Sequence, residues 1–145
     1  MKVRPATPAD VPTIASLLGE LGYPAEADQV SARMKRLDTA GDAAHDALFV
    51  AMDDGSNTPI GVLALHRFAG IHDDADVALI MALVISERAR GRGVGRQLVD
   101  AACETARRWG CGKLMVTTHV RRADAHAFYE RIGFQFTGRR YVRSL

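Results

Sequence analysis

The sequence predicts an α/β domain with a mixed β-sheet flanked by helices, and three adjoining features carry that reading. Val77–Ile85 is a run of nine apolar residues, the length and composition of a strand buried on both faces. Further on, Val94, Leu98, Ala102 and Ala106 recur every fourth residue, with Trp109 closing the stripe, which marks one apolar face of a long helix. Between strand and helix lies Arg90-Gly91-Arg92-Gly93-Val94-Gly95-Arg96. A buried strand feeding a helix through a tight turn is the basic connection of an α/β sheet.

The other elements follow in chain order. Lys2–Pro5 reads as a short first strand. Thr7-Pro8-Ala9-Asp10 signals a helix start, with Thr7 as N-cap, Pro8 at the first helical position and Asp10 supporting the first turn. Val11, Ile14, Leu18 and Leu21 are its expected buried stripe, and Gly22 ends it. After Tyr23-Pro24, a second helix carries Val30, Met34 and Leu37 on one side. Leu48–Met52 is a strand, the cluster Asp53–Pro59 a turn, and Ile60–Phe68 the next strand. The loop Ala69–Ala75 leads into Val77–Ile85. Beyond the long helix come a strand at Leu114–Thr118, a short helix around Ala125–Ile132 capped by Gly133, and a terminal pair of strands within Phe134–Val142. The expected order is β-α-α-β-β-β-α-β-α-β-β, in one domain spanning residues 1–145.

The glycine-rich turn is the part of the chain that points to chemistry. It presents unpaired backbone N–H groups at the positive end of a helix dipole, and Arg88, Arg90, Arg92 and Arg96 surround it. That suits a polyanion needing close backbone approach, most simply a pyrophosphate. Gly91, Gly93 and Gly95 give G-x-G-x-G rather than the dinucleotide pattern G-x-G-x-x-G, and the Gly-Lys-Ser/Thr ending of a nucleoside-triphosphate loop is absent. The plain alternative is a solvated basic turn whose glycines only permit the tight geometry.

A second segment, Ala125-His126-Ala127-Phe128-Tyr129-Glu130-Arg131-Ile132-Gly133-Phe134, lies about 30 residues downstream. With both segments in order, the chain resembles the GNAT superfamily of acyl-CoA-dependent N-acyltransferases. That family's Gln/Arg-x-x-Gly-x-Gly/Ala turn, which holds the coenzyme A pyrophosphate, is matched by Arg90-Gly91-Arg92-Gly93-Val94-Gly95 at every fixed position. Its Ala-x-x-Phe-Tyr-x-x-x-Gly-Phe block is matched by Ala125–Phe134. The resemblance covers the whole chain.

What the resemblance implies is specific. Acetyl-CoA is the expected cosubstrate, bound by Arg90, Gly91, Arg92, Gly93, Val94, Gly95 and Arg96. Its pantetheine arm is expected along the backbone of Leu83, Val84 and Ile85, like an added strand. Those three residues also read as plain core, and the two roles are compatible because main-chain groups do the binding. Tyr129 falls where the family commonly has a tyrosine that protonates the leaving sulfur, and a phenol with an ordinary pKa of about 10 donates a hydrogen bond at neutral pH. Its alternative is packing within a Phe-Tyr pair. Many relatives carry a Glu in the strand before the turn; Met81 is found there instead, so direct carboxylate catalysis is not expected. His119, just past Leu114–Thr118, is the candidate base, against the ordinary reading of a polar residue at a strand end. Arg122 replaces a common Asn, and Tyr23 belongs to the part of the chain that in relatives walls the acceptor site.

Composition narrows the remaining classes. At 48% hydrophobic and 25% charged residues, the 145-residue chain is that of an ordinary soluble globular domain. A net charge of +2, with arginines gathered at one turn, does not call for nucleic acid. No apolar run reaches membrane-spanning length and the N-terminus lacks a signal-peptide core, so no membrane partner and a cytoplasmic location are expected. Cys103 and Cys111 read as reduced thiols, and neither has metal-ligand spacing to a histidine, so no metal is expected. Neither cysteine sits where a nucleophile is activated. The acidic stretch Asp73-Asp74-Ala75-Asp76 reads as a solvated loop, with attraction of a cationic amine as its alternative.

The expected activity is therefore acetyl transfer from acetyl-CoA to a small-molecule or peptide amine, by direct attack in a ternary complex. A non-catalytic acyl-CoA-binding or sensing module is the alternative. A homodimer is a further expectation, from the resemblance alone.

Overall fold

A computed structural model describes residues 1–118 and 121–145. By its internal contacts the chain divides into two compact units, Met1–Met115 and Val116–Leu145.

The first unit is organised by an antiparallel meander. Strands β1 (Lys2–Pro5), β2 (Asp46–Met52), β3 (Pro59–Phe68) and β4 (Val77–Ile85) lie in that order. Each pairs antiparallel with its neighbour, and the turn 53–58 and the loop 69–76 make the two reversals within β2–β3–β4. Strand β5 (Lys113–Val116) lies next to β4. The chain reaches it through helix α3 (Val94–Arg108).

Helices cover both faces. Residues Val94, Leu98, Ala102 and Ala106 of α3 are buried, as the four-residue stripe predicts, and Val99 and Thr105 widen the buried face. Gly61 makes this seating possible. A Cβ there would stand 3.0 Å from the Ile85 and Leu98 side chains and 3.1 Å from that of Val94, so the bare backbone lets the first turns of α3 approach β3. On the opposite face, helices α1 (Val11–Leu21) and α2 (Ala27–Lys35) bury Val11, Ile14, Leu17 and Val30 against Val50, Met52, Val62 and Val84. The expected stripe named Leu18; Leu17 is the fully buried residue and Leu18 packs at the margin. Leu37 lies beyond the end of α2.

The helix start is as expected in chemistry and different in shape. Residues Pro8–Asp10 form a 3-10 turn before α1 proper. Asp10, only 4% exposed, accepts the Thr7 backbone N–H at 2.8 Å. The same carboxylate receives both terminal nitrogens of Arg4, at 2.8 and 2.9 Å, tying β1 to α1. The Arg4 hydrogen bonds are the main reason the Asp10 carboxyl titrates below the usual range, with burial opposing them. Asp10→Ala orphans this arginine and the Thr7 N–H, and is expected to cost about 2–3 kcal/mol in urea unfolding near neutral pH. Because the folded pKa is depressed, this stabilisation is complete above the unfolded carboxyl's value of about 4 and is lost as pH falls through the folded one. The stability gap between wild type and Asp10→Ala is therefore expected to close on acidification below about pH 4.

In the second unit, helix α4 (Ala123–Arg131) ends at Gly133, whose φ of 102° is the left-handed cap geometry read from the sequence. The Gly133 and Phe134 N–H groups close the end on Glu130 and Tyr129 carbonyls, at 3.2 and 2.9 Å. The expected terminal strand pair within Phe134–Val142 is not formed: residues 134–145 carry no regular secondary structure. Phe136, Tyr141 and Val142 are largely exposed. A segment becomes a strand only when a partner edge accepts its ladder, and these residues enter none among those described.

Candidate active site

The run Val77–Ile85 is a strand throughout, and its ladder has one interruption. Ala64 opposes Ala82 while Leu65 opposes Ile80, so Met81 is an extra residue on β4. Such a bulge bends the strand and leaves main-chain polar groups out of the ladder. Met81 is 57% exposed, the one exposed residue of a strand whose others are buried or half-buried. The residue that takes the place of the expected acid therefore also marks where β4 opens.

At the end of β4 the chain makes a 3-10 turn, Glu87–Ala89, then passes through Gly91 and Gly93 into α3. Both glycines are left-handed, at φ 74° and 78°, a region costly for any residue with a Cβ. The ladder of α3 begins with the Gln97 N–H on the Gly93 carbonyl at 3.2 Å, so the N–H groups of its first turn have no intrahelical acceptor. Gly91, Arg92 and Gly93 are exposed, as are Arg88, Arg90 and Arg96. The turn thus combines left-handed glycines, an open helix start and exposed guanidinium groups.

Two carboxylates that the sequence did not single out hold this turn. Glu20, near the end of α1, accepts the Glu87 N–H at 2.9 Å and lies 3.4 Å from the hydroxyl of the buried Ser86. These residues, with Thr13, Ser16, Leu17, Pro59 and Arg88, line a cavity of about 420 Å³ beside the turn. Its two glutamates make it a poor phosphate pocket, and Glu20 braces the turn through the Glu87 N–H. Asp53, in the turn after β2, accepts from Arg92 at 3.0 Å. That hydrogen bond, with smaller help from Ser56 and the Arg88 charge, holds the Asp53 carboxyl below its ordinary range. The pair is solvent-exposed, so its role is local charge rather than stability. Asp53 places a negative charge beside groups suited to an anion. Asp53→Asn is expected to lower the KM for acetyl-CoA about 2–5-fold at low salt, with the difference shrinking as salt rises.

In the second unit, Tyr129 is 9% exposed. Its ring packs against Phe128 at 5.3 Å and edge-on to Phe134 at 5.6 Å between centroids. Burial raises the hydroxyl's pKa, with the Arg122 charge opposing, so the phenol keeps its proton at neutral pH. His119 lies outside the described residues. The acidic loop is a structural tie: Asp73 pairs with Lys113 at 3.0 Å, and the Gly112 N–H reaches the Asp76 carbonyl at 2.9 Å. Both cysteines are half-buried and burial pushes both thiols up, the reverse of activation. Among the described residues no three His, Cys, Asp or Glu side chains are placed to hold a metal. No helix among them is long and apolar enough to cross a membrane.

The sequence model of the Acetyltransferase (GNAT) family matches residues 14–134. The chain belongs to that family, a class of acetyl-CoA-dependent N-acetyltransferases. Over 139 residues it is 30% identical to aminoglycoside N(6')-acetyltransferase type 1 of Stenotrophomonas maltophilia, covering 94% of this chain and 88% of that protein. Over 86 residues it is 33% identical to aminoalkylphosphonate N-acetyltransferase of Salmonella typhimurium, covering 59% of this chain and only 56% of that protein. Among solved structures, one described as a transcriptional regulator from Bacillus halodurans superposes with a TM-score of 0.87 at 25% identity, over 99% of each chain.

Proposed function

We propose that the chain, as one catalytic domain over residues 1–145, transfers the acetyl group of acetyl-CoA to the amine of a small molecule by direct attack in a ternary complex. The observation that carries this reading is the exposed glycine–arginine turn at the start of α3, fed by a strand that bulges at Met81. The turn suits the cofactor's pyrophosphate: main-chain N–H groups of the first helical turn receive its oxygens and the arginines balance its charge. The backbone of Leu83–Ile85 suits the pantetheine amides, which carries the thioester along β4 towards Met81. There, main-chain N–H groups freed by the bulge favour the charge that grows on the carbonyl oxygen. The amine nitrogen bonds to the carbonyl carbon, the carbon–sulfur bond breaks, and the proton-bearing Tyr129 supplies the departing thiolate.

The raised cysteine pKa values support direct attack over an acetyl-cysteine intermediate. The names of the two curated relatives, with aminoglycoside and aminoalkylphosphonate acceptors, support a small-molecule amine. An acceptor panel tests the reading: aminoglycosides, aminoalkylphosphonates, polyamines, amino acids and peptides are incubated with acetyl-CoA, and free thiol is followed. Thiol release that depends on one amine, with an acetylated product by mass, is expected. Tight acetyl-CoA binding with no amine-dependent release would leave the acyl-CoA-binding module as the better account.

A further inference from the structure

Met81 stands where an acid was expected and His119 lies outside the described residues, while a pair of residues on the neighbouring strands offers a base within the described sheet. His66 on β3 is directly opposite Asp46 on β2 and directly opposite Leu79 on β4. Register places Asp46 and His66 on the same face as Leu48, Val50, Val62 and Ala64, the face that α1 and α2 cover. On β4 the residues of that face are Val84, Ala82 and Leu79, and they bracket the bulge.

The two sides of the sheet differ at this point. Leu63, Leu65 and Ile80, on the α3 side, are fully buried. Ala64, His66, Leu79 and Ala82, on the other, are only half-buried, because the core contacts of α1 and α2 lie towards Val62 and Val84. The sheet is therefore open beside the bulge, and His66 stands in that opening.

Asp46 fixes the imidazole. Its Oδ1 lies 2.7 Å from His66 Nδ1, and its Oδ2 accepts the Asp38 backbone N–H at 2.8 Å. The Asp46 side chain is 11% exposed and that of His66 37%. Phe68 stacks on the imidazole with ring centroids 6.2 Å apart. A carboxylate on Nδ1 selects the tautomer with its hydrogen there, which leaves the Nε2 lone pair as proton acceptor. In a regular ladder a diagonal cross-strand step such as His66 to Met81 is about 7–8 Å between backbones, a gap that the imidazole narrows from its side and water completes. Asp38 is 3.2 Å from His45 Nδ1, Arg67 stacks over Trp109 on the far face, and Val77–Ile85 contributes no titratable side chain.

We propose that His66, oriented by Asp46, is the general base that receives the acceptor amine's proton at the opening beside the β4 bulge, directly or through one water. This rests on the transferase reading above. As the nitrogen–carbon bond forms and the carbon–sulfur bond breaks, the proton from nitrogen passes to Nε2, and the thiolate takes its proton from Tyr129. Solvent later removes the proton from His66 and restores that of Tyr129, so charge balances over the cycle. Asp46 acts through His66 and is a positioning residue.

The test compares wild type, His66→Gln and Asp46→Asn with an acceptor found in the panel and a second acceptor whose amine has a different pKa. Wild-type kcat/KM is expected to show an acid-side limb that stays in place when the acceptor is changed. His66→Gln is expected to lose that limb and fall about 10²-fold in kcat, with the KM for acetyl-CoA unchanged. Asp46→Asn is expected to lower kcat by less than His66→Gln, again with the KM for acetyl-CoA unchanged. A structural tie would instead lower the melting temperature and leave kcat and the limb intact, overturning the base assignment alone. Wild-type protein that binds acetyl-CoA yet releases no thiol with any amine would overturn the transferase reading, and the base with it.

Discussion

Gly93→Val is expected to abolish the rise in melting temperature that acetyl-CoA gives the wild-type protein. Gly93 adopts φ 78° as the residue from which α3 begins, and its surface is open. A β-branched side chain there is strained by about 1–2 kcal/mol in the left-handed region, and the relieved backbone no longer aims its N–H groups at one point. The side chain would also stand where a pyrophosphate needs the bare backbone. Because no atom lies within 4 Å of the position of a Cβ at Gly93, the fold itself survives. The measurement is a thermal shift with acetyl-CoA, NAD and ATP in turn. Wild type is expected to respond to acetyl-CoA far more than to the other two. Equal responses to ATP and acetyl-CoA would reduce the turn to a generic phosphate site.

Tyr129→Phe removes one hydroxyl and keeps the ring that Phe128 and Phe134 pack against. Turnover with a good acceptor is expected to fall on the order of 10²-fold, the lower range for a lost general acid, while acetyl-CoA affinity and melting temperature change little. The raised pKa of the buried phenol adds a second expectation. A proton donor whose pKa lies above its ordinary value holds its proton to higher pH, so the alkaline fall of the wild-type rate is expected only beyond the usual phenol range. Unchanged turnover in Tyr129→Phe would assign the residue to packing.

What the sequence made legible, and what it concealed, divides along physical lines. Local signals held. The nine-residue apolar run is one strand, the four-residue stripe is the buried face of α3, and the glycines at 91, 93 and 133 have left-handed backbones. Features that depend on pairing between distant segments were hidden. A continuous apolar run carries no mark of register, so the bulge at Met81 is invisible until β3 is laid beside β4. His66 and Asp46 are 20 residues apart and become partners only through the β2–β3 register. Glu20 reaches the Glu87 N–H across 67 residues, and Asp53 reaches Arg92 across 39. The terminal strands failed for the complementary reason: Phe134–Val142 reads as strand locally, and among the described residues it joins no ladder. Leu17 in place of Leu18 is a rotation of one residue around α1, which a stripe defined by four leucine-type positions does not resolve.

The central claim is that acetyl passes directly from the donor held at the glycine–arginine turn to an amine held beside Met81. Initial rates with acetyl-CoA and acceptor both varied test it most directly. Double-reciprocal lines that intersect, together with no acetyl group on the protein after incubation with acetyl-CoA alone, are the predicted result. Parallel lines accompanied by stoichiometric acetylation of Cys103 or Cys111 would contradict it.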